Sequence, residues 1–267
     1  MRKLLSKYAD KLARTGLAVP GSILFGGRDD SVEWVGDDSS RPILEEVFER
    51  LAVGSLLLFQ PSEPWSSMIG LLAPESGGAI RPSDCENRTF LHEIPVAPRL
   101  EAGILAGLLG RRRSAVVPGP RIAAWGSVSP EQAFVSASSV CFSCFVKFMA
   151  DYLDALEAGR RPPEAWRRVV EAVRSGAGVA PFGAGGGGAL SVGPFRSEAA
   201  VRAAIAEVGA RTVESGLVDS YFGNVSWLLD WVLYISQTAS SLDELAGATD
   251  ACPLDGSSCT PITASSE

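Results

Sequence analysis

The stretch "GLVDSYFGNVSWLLDWVLYISQTASSLDEL", residues 216–245, carries the strongest structural signals in this chain. Gly223 and Asn224 stand together in a short segment, where they favour a tight turn because both residue types tolerate unusual backbone angles. "WVLYIS" (231–236) predicts a strand, and "SSLDEL" (240–245) has the hydroxyl and acidic residues of a helix start. The order of turn, strand and helix start indicates an α/β protein.

The N-terminal part of the chain shows the same alternation as far as residue 158. Apolar residues at helical spacing predict helices at 2–16, 42–53, 64–73, 99–110 and 130–157. Short β-type runs between them predict strands at 31–35, 55–60, 89–96 and 114–126. This pattern predicts a layered α/β domain.

We therefore predict three parts: an α/β domain at 1–158, a glycine- and proline-rich linker at 159–195, and a second block at 196–267. The second block begins with a predicted helix at 197–215 and has few strands. One helix and a few strands are too few to form a hydrophobic core by themselves. We therefore expect this block to pack against the first block or against a segment outside this sequence.

The composition excludes several classes of protein. Hydrophobic residues make up 46% of the 267, and the net charge is −7, which indicates a packed globular protein and argues against nucleic acid as a partner. The basic runs at 111–113 and 160–168 are interpreted as solvated faces. The charged amphipathic pattern of the N-terminus predicts a helix and not a signal peptide, and the longest apolar run, at 52–59, is too short to cross a membrane. Five widely spread cysteines suit free thiols in the cytoplasm.

Three local motifs favour structural roles. "GAGGGG" (183–188) matches a dinucleotide-binding pattern, but Gly193-Pro194 follows before any helix can begin, so the tract is interpreted as linker. Cys141 and Cys144 lie within a helical pattern and are predicted to be small core residues. His92, the only histidine, alternates along the predicted strand 89–96 and is interpreted as structural; a single histidine excludes a multi-histidine metal site within this chain.

Hydroxyl-rich segments recur three times near the C-terminus, at 216–227, 234–245 and 262–267. Each one alone is typical of a helix cap. Together they can bring backbone amides and hydroxyl groups to one anion, such as a phosphoryl group.

These pieces resemble the opening half of a class II aldolase/adducin-type domain, the family of fuculose-phosphate aldolase and ribulose-phosphate 4-epimerase. The segments that carry the resemblance are "SYFGNVS" (220–226), "ISQTASSLDEL" (235–245) and "SSE" (265–267). The resemblance implies a layered α/β/α fold and a zinc-dependent aldehyde-lyase that cleaves sugar phosphates by a retro-aldol reaction. It also implies that the chain forms homo-oligomers when complete.

The resemblance also assigns roles to individual residues. It implies an acid/base beside the zinc at Glu267, and substrate phosphate binding by a set of turn and hydroxyl residues: Gly223, Asn224, Thr238, Ser265 and Ser266. Two positions depart from the motif, since Tyr221 and Ala239 stand where threonine and glycine are usual. Alanine at 239 is expected to restrict the backbone that a phosphate approaches.

The zinc ligands of the family have no counterparts in this sequence. The family uses an H-x-H after the "SSE" helix and a later histidine, and we expect both to lie beyond residue 267. The first block resembles the later half of the same domain at 54–73 and 114–134. There the histidine positions hold residues that cannot bind zinc: Phe59, Pro61, Gly119 and Pro120.

Three interpretations remain open. In the first interpretation, the chain is a truncated tandem protein, with a degenerate first repeat and an incomplete second repeat that lacks aldolase activity alone. In the second, the chain is a non-catalytic, adducin-like binding or assembly module. The third interpretation is an unrelated α/β protein that binds a phosphate ligand without lyase chemistry.

Overall fold

The structure is a computed structural model that describes residues 1–175, 189–215, 218, 221 and 223–257, without the side chains of 85 and 86. The chain divides into two compact units, Met1–Ala180 (unit 1) and Pro181–Glu267 (unit 2). The predicted linker, 159–195, spans this division. Its N-terminal part includes a described helix of unit 1.

Unit 1 is built on a five-stranded antiparallel sheet with the strand order β2-β1-β3-β7-β6. Its strands are β1 (Leu24–Arg28), β2 (Val32–Val35), β3 (Ser55–Phe59), β6 (Ser114–Val117) and β7 (Arg121–Gly126), and a separate ladder joins β4 (Ala79–Ile80) to β5 (Ile94–Pro95). The helices of unit 1 are α1 (Arg2–Arg14), α2 (Arg41–Arg50), α3 (Trp65–Glu75), α4 (Cys85–Phe90), α5 (Ala102–Leu109), α6 (Pro130–Glu157) and α7 (Glu164–Arg174).

Helices cover both faces of the sheet of unit 1. One face packs on α2 and α5, where Leu56 and Leu58 of β3 join a core with Phe48 and Leu105. The alternate residues of β3 point away from that core and are also fully buried, since α6 packs on β3 and β7. Burial of both faces explains why all five residues of this strand are buried and apolar apart from Ser55. The layered α/β architecture predicted from the sequence is confirmed.

The helix α6 is long and apolar enough to cross a membrane, and 61% of its most apolar window is buried inside the protein. It therefore serves as a core helix, with the thiols of Cys141 and Cys144 buried as predicted. Near the end of this helix Phe148 stacks on Trp166 of α7, with ring centroids 4.4 Å apart. This stack attaches α7, which lies inside the predicted linker, to unit 1.

Unit 2 contains α8 (Glu198–Glu214) and a three-stranded antiparallel sheet of β8 (Ser226–Leu229), β9 (Val232–Ser236) and β10 (Thr249–Pro253). A 3₁₀ turn at Leu242–Glu244 lies between β9 and β10. Val201 and Ile205 of α8 form a small core with Tyr234 and with Leu242 of that turn. The helix begins at Ser197, whose hydroxyl accepts the amide of Ala200.

Several predicted elements differ from the structure. The segment 89–96, predicted as one strand, contains the end of α4 and only the short β5. This helix forms because the carboxylate of Asp84 caps it, accepting the amide of Asn87 at 2.7 Å. His92 follows the helix with φ +61° and is exposed, so its predicted place on a strand is wrong.

Candidate functional site

The candidate site of unit 2 lies at the open end of the β8–β9 hairpin. The two strands pair from Ser226 with Ile235 to Leu229 with Val232, and the hairpin closes at the other end. At the open end the amide of Ser236 donates to the carbonyl of Val225 at 3.0 Å. The amide of Val225 in turn donates to the hydroxyl of Ser236 at 3.2 Å.

This register determines which predicted residues come together. Asn224 stands one residue before the paired Val225, and Thr238 stands two residues after the paired Ser236. Because the strands are antiparallel, both segments leave the sheet at the same end. The structure therefore brings Gly223, Asn224 and Thr238 to one end of one hairpin, although 14 positions separate Asn224 from Thr238 in the sequence.

The three residues present an accessible surface. Gly223 is exposed and adopts φ +91°, a conformation that favours glycine. Asn224 is half-buried, and the Thr238 side chain is exposed. A left-handed residue beside a strand end is a conformation that backbone anion sites can use.

The segment after β9 is held by bonds to β10. The amide of Gln237 donates to the carbonyl of Ala248 at 3.0 Å. Its side-chain amide donates to Asp250 at 2.8 Å, and Asp250 is 5% exposed. The hydroxyl of Ser240 donates to the carbonyl of Gln237 at 2.6 Å, which closes the turn. Thr238 therefore projects from a turn that is fixed on both sides.

Ala239 occupies the centre of this turn with φ +60°. The left-handed conformation costs a residue with a Cβ roughly 1–2 kcal/mol. Glycine would adopt this conformation without that cost, and it is the residue that the resembled motif is expected to carry at this position.

A close approach between α8 and the 3₁₀ turn sets the position of the segment 238–241. Gly209 is buried within α8, and a Cβ built on it would lie 2.2 Å from the carbonyl oxygen of Leu242. No side chain fits between the helix and this carbonyl. Glycine at 209 therefore allows the turn after the candidate site to pack directly on the helix.

Among the described residues of unit 2, Arg202 contacts this sheet and is already engaged. Arg202 of α8 donates to Glu198 at 2.8 Å and to the carbonyl of Thr249, and its guanidinium lies 5.5 Å from the ring centre of Tyr234. An anion at the hairpin end would accordingly be bound by backbone amides, an amide side chain and hydroxyls. Ser265, Ser266 and Glu267, which the resemblance places in the same site, lie outside the described residues.

The described residues do not supply a zinc site. Among them, no group of three or more histidine, cysteine, aspartate and glutamate side chains could hold a metal ion. Phe59 is fully buried in β3, and Gly119 has φ +95° in the turn between β6 and β7. His92 lies elsewhere in unit 1, after α4. The donor set that the resembled family uses therefore does not fit this part of the chain.

Unit 1 repeats the order of elements that builds the candidate site. Its helix α1 precedes the β1–β2 hairpin, which is followed by Gly36 with φ +82° and by Ser39-Ser40 at the start of α2. In unit 2, α8 precedes the β8–β9 hairpin, which is followed by Ala239 and Ser240-Ser241. In unit 1 an open groove of about 540 Å³ lies along β2, lined by Arg2, Arg41 and residues 32–36.

A second groove in unit 1 was not expected from the sequence. It has a volume of about 430 Å³ and lies beside the turn between α5 and β6. Its walls include His92 and the arginine run 111–113, which the sequence indicated to be a solvated face. Three consecutive arginines were visible in the sequence as a concentration of positive charge. Only the tertiary structure shows that His92 lies beside them.

No family model matches the chain, and no match was found among curated proteins. Solved structures do resemble it. L-fuculose-1-phosphate aldolase from Thermus thermophilus is 17% identical, with a TM-score of 0.48 over 59% of this chain and 96% of that protein. YgbL from Escherichia coli, named as a putative aldolase/epimerase/decarboxylase, is 14% identical, with a TM-score of 0.46 over 55% and 88%.

L-fuculose 1-phosphate aldolase from Glaciozyma antarctica is 13% identical, with a TM-score of 0.43 over 66% of this chain and 82% of that protein. These are similarities of fold. Two of these three structures are named as L-fuculose 1-phosphate aldolases.

Proposed function

We propose that the chain is a class II aldolase-like protein that binds the phosphate of a small phosphorylated sugar or aldehyde at the open end of the β8–β9 hairpin. The observation that supports the proposal is the register of this hairpin, in which the segments that carry Gly223, Asn224 and Thr238 leave the sheet at the same end.

Phosphate binding at this end would rely on neutral donors. The turn at Gly223 offers backbone amides, Asn224 offers a side-chain amide, and Thr238 offers a hydroxyl. Several such donors converging on one phosphoryl group stabilise it without a guanidinium, because bonds to a charged acceptor are stronger than neutral ones. Ser265 and Ser266 are proposed to complete the site, on the resemblance alone.

We assign unit 1 the role of a non-catalytic scaffold repeat. The repeated order of helix, hairpin, left-handed residue and serine pair supports an origin of both units from one type of domain. In unit 1 the positions of the family's ligands hold core and turn residues, such as Phe59 and Gly119. The proposal places this repeat at 1–158 and the second at 196–267, in the cytoplasm, where the free thiols of the described cysteines suit reducing conditions.

Aldol cleavage is not proposed for this chain by itself. Zinc does not fit the described residues, and the resemblance leaves Glu267 as an acid/base without metal ligands in the same sequence. A chain completed by such ligands would be a class II aldolase-type lyase. In that protein the residues of the hairpin end would hold the substrate phosphate.

A second candidate function, assembly through unit 2, is favoured by a different observation. Trp227 and Leu228 of β8 are 41% and 55% exposed, and Trp231 in the hairpin turn is 80% exposed. Trp227 and Leu228 point to opposite faces of the sheet, and exposed large apolar side chains can mark a surface that contacts another protein. This observation supports an adducin-like role in a homo-oligomer.

Isothermal titration calorimetry with L-fuculose 1-phosphate, ribulose 5-phosphate and inorganic phosphate tests the phosphate site. We expect binding of at least one phosphate ester, and a loss of at least tenfold in affinity in both Asn224→Ala and Thr238→Val. Thr212→Val is the control, since this hydroxyl donates within α8 to the carbonyl of Val208. Equal losses in the control, or no binding of any of the three ligands, would refute the proposal.

Zinc analysis of the purified chain tests the proposals that unit 1 has no metal ligands and that the chain by itself does not cleave sugar phosphates. We expect less than stoichiometric metal after dialysis, and no release of aldehyde from the two sugar phosphates. Tightly bound zinc at one ion per chain would contradict the assignment of unit 1 as a repeat without metal ligands.

A further inference from the structure

We propose that unit 1 has a separate binding site for a small anion with two or more phosphate groups, in the groove between the end of α4 and the turn from α5 to β6. The groove is lined by Thr89, Phe90, Leu91, His92, Gly110, Arg111, Arg112, Arg113 and Trp125. None of these residues is acidic. Its volume of about 430 Å³ lies within the range of small-molecule sites.

The turn that carries the arginines is fixed from beneath. The indole nitrogen of Trp125 donates to the carbonyls of Leu109 and Arg112, at 2.9 Å in both cases. The backbone amide of Trp125 donates to the carbonyl of Arg113 at 3.0 Å. Three bonds from one residue of β7 thus hold the arginine run in one conformation, which lowers the entropic cost of binding a ligand there.

Arg112 has a structural role within this turn. Its guanidinium donates to Glu93 at 3.2 Å and to the carbonyl of Arg111 at 2.9 Å. Glu93 also lies 3.7 Å from Arg81. The carboxylate of Glu93 is therefore shared between the guanidiniums of Arg81 and Arg112. It does not compensate the charges of Arg111 and Arg113.

Arg111 and Arg113 are exposed, and neither has a carboxylate partner in the part of the chain that the structure describes. The guanidinium of Arg113 lies 5.6 Å from the ring centre of Phe90, which orients it over the groove wall. His92 also lines the groove; it is exposed and adopts a left-handed conformation just after α4. Its amide donates to the carbonyl of Arg88 at 3.1 Å, so its backbone position is also fixed.

Cations held close together repel one another, and this repulsion is relieved when an anion binds between them. The planar donor fork of arginine matches phosphate oxygens, and two forks in one groove suit a ligand with more than one phosphate charge. The net charge of −7 opposes the approach of a long polyanion, whereas a small anion fits the groove. These points together favour a small polyphosphate or bisphosphate compound.

Titration calorimetry with inorganic pyrophosphate at about 150 mM KCl, an ionic strength that screens weak surface charge effects, tests this site. We expect saturable binding that weakens at least tenfold in the double variant Arg111→Ala/Arg113→Ala. Arg160→Ala/Arg161→Ala removes the same charge from two exposed arginines outside the groove and should bind as the wild type does. Glu93→Gln removes the competing carboxylate and should strengthen binding.

The outcome can be separated from that of the phosphate site in unit 2. Asn224→Ala should leave pyrophosphate binding in this groove unchanged. The proposal is overturned if pyrophosphate does not bind, if both double variants lose affinity equally, or if citrate binds as tightly, since the last result would show a general anion surface. Far-UV circular dichroism of each variant verifies that the fold is retained.

Discussion

Replacing Gly209 by alanine tests whether α8 positions the candidate phosphate site. Two opposing effects act at this position. Alanine is favoured over glycine in a helix interior by about 1 kcal/mol. Against this, its Cβ would lie 2.2 Å from the carbonyl oxygen of Leu242 and 2.8 Å from a terminal methyl group of Leu245. The methyl group can rotate away, but the backbone carbonyl cannot.

The steric effect is expected to prevail. The carbonyl must move by about 1 Å, and forcing such a shift in a packed core costs roughly 1–3 kcal/mol. We take a steric cost of about 2 kcal/mol from this range, because a backbone carbonyl has to move. Subtracting the gain of about 1 kcal/mol in helix propensity leaves an expected loss of about 1 kcal/mol in the unfolding free energy of unit 2. The 3₁₀ turn moves with Leu242, so binding of a phosphate ester at Thr238 should weaken as well.

Gly107→Ala in α5 is the matched control. Like Gly209, this glycine lies in a helix. Unlike Gly209, it is exposed, and a Cβ built on it has no atom within 4 Å. The same substitution should therefore stabilise unit 1 by about 1 kcal/mol, because only the propensity effect operates. The two variants are expected to change stability in opposite directions.

Native-state hydrogen exchange followed by NMR distinguishes the two units. The amide of Ser236 reports on unit 2, and the amide of Gly110, which donates to the carbonyl of Ala106, reports on unit 1. A change of about 1 kcal/mol corresponds to roughly a fivefold change in exchange rate. We expect faster exchange at Ser236 in Gly209→Ala and slower exchange at Gly110 in Gly107→Ala. Slower or unchanged exchange at Ser236 would refute the close approach of α8 to Leu242.

Further predictions concern the turn, the sheet edge and the core thiols. Ala239→Gly should raise the unfolding free energy of unit 2 by about 0.5–1 kcal/mol, because relief of the left-handed strain exceeds the added chain entropy; Ala246→Gly, at an exposed turn residue without positive φ, should lower it. Gly126→Ala should destabilise unit 1 in urea unfolding, since its Cβ would lie 2.3 Å from a backbone carbonyl. Burial raises the pKa of Cys144 to about 12. Iodoacetamide at mildly alkaline pH should therefore leave Cys144 unmodified in the folded protein and should modify the partly exposed Cys252. Peptide mass spectrometry measures both reactions. Rapid alkylation of Cys144 without denaturant would contradict its burial.

The elements with strong periodicity were predictable from sequence. The helix α6 and the strand β3 were predicted within two residues of their bounds, because one has a long apolar pattern at helical spacing and the other a short continuous apolar run. Cys141 and Cys144 were predicted to be core residues for the same reason, since the pattern of the whole helix places them on its buried side.

The elements that the sequence did not predict depend on particular contacts. The strand β1 contains Gly26, which suggests a turn; in the structure it lies under the ring of Trp34, which is 2.6 Å from where a Cβ would be. The strand β8 precedes a two-residue hairpin turn in which Asp230 and Trp231 both have positive φ. Tryptophan is rare in that conformation, so the sequence gives no sign of the turn.

The candidate site was predictable as a set of residues but not as a shape. The motif predicts roles for Asn224 and Thr238, and the hairpin register shows that their segments leave the sheet at the same end. The arginine groove could not be predicted, because the helix α4 that brings His92 to it depends on one capping carboxylate, that of Asp84. A pattern of alternating residues at 89–96 outweighed that cap in the sequence-based prediction.

The two units share an order of helix and hairpin along the chain, but their sheets differ: β3 pairs with β1 in unit 1, whereas β10 pairs with β9 in unit 2. After the hairpin of unit 1 the chain continues as Val35 and Gly36, whereas after that of unit 2 it continues as Ser236, Gln237 and Thr238. A left-handed residue follows the hairpin in both units, Gly36 in unit 1 and Ala239 in unit 2, but only unit 2 has polar side chains beside it at 236–238. Polar side chains on a turn that packing holds in place need little further ordering when a ligand binds. The proposed anion site at the hairpin of unit 2 and the proposed anion groove of unit 1 use different residues, so we expect each to be removable by mutation without loss of the other.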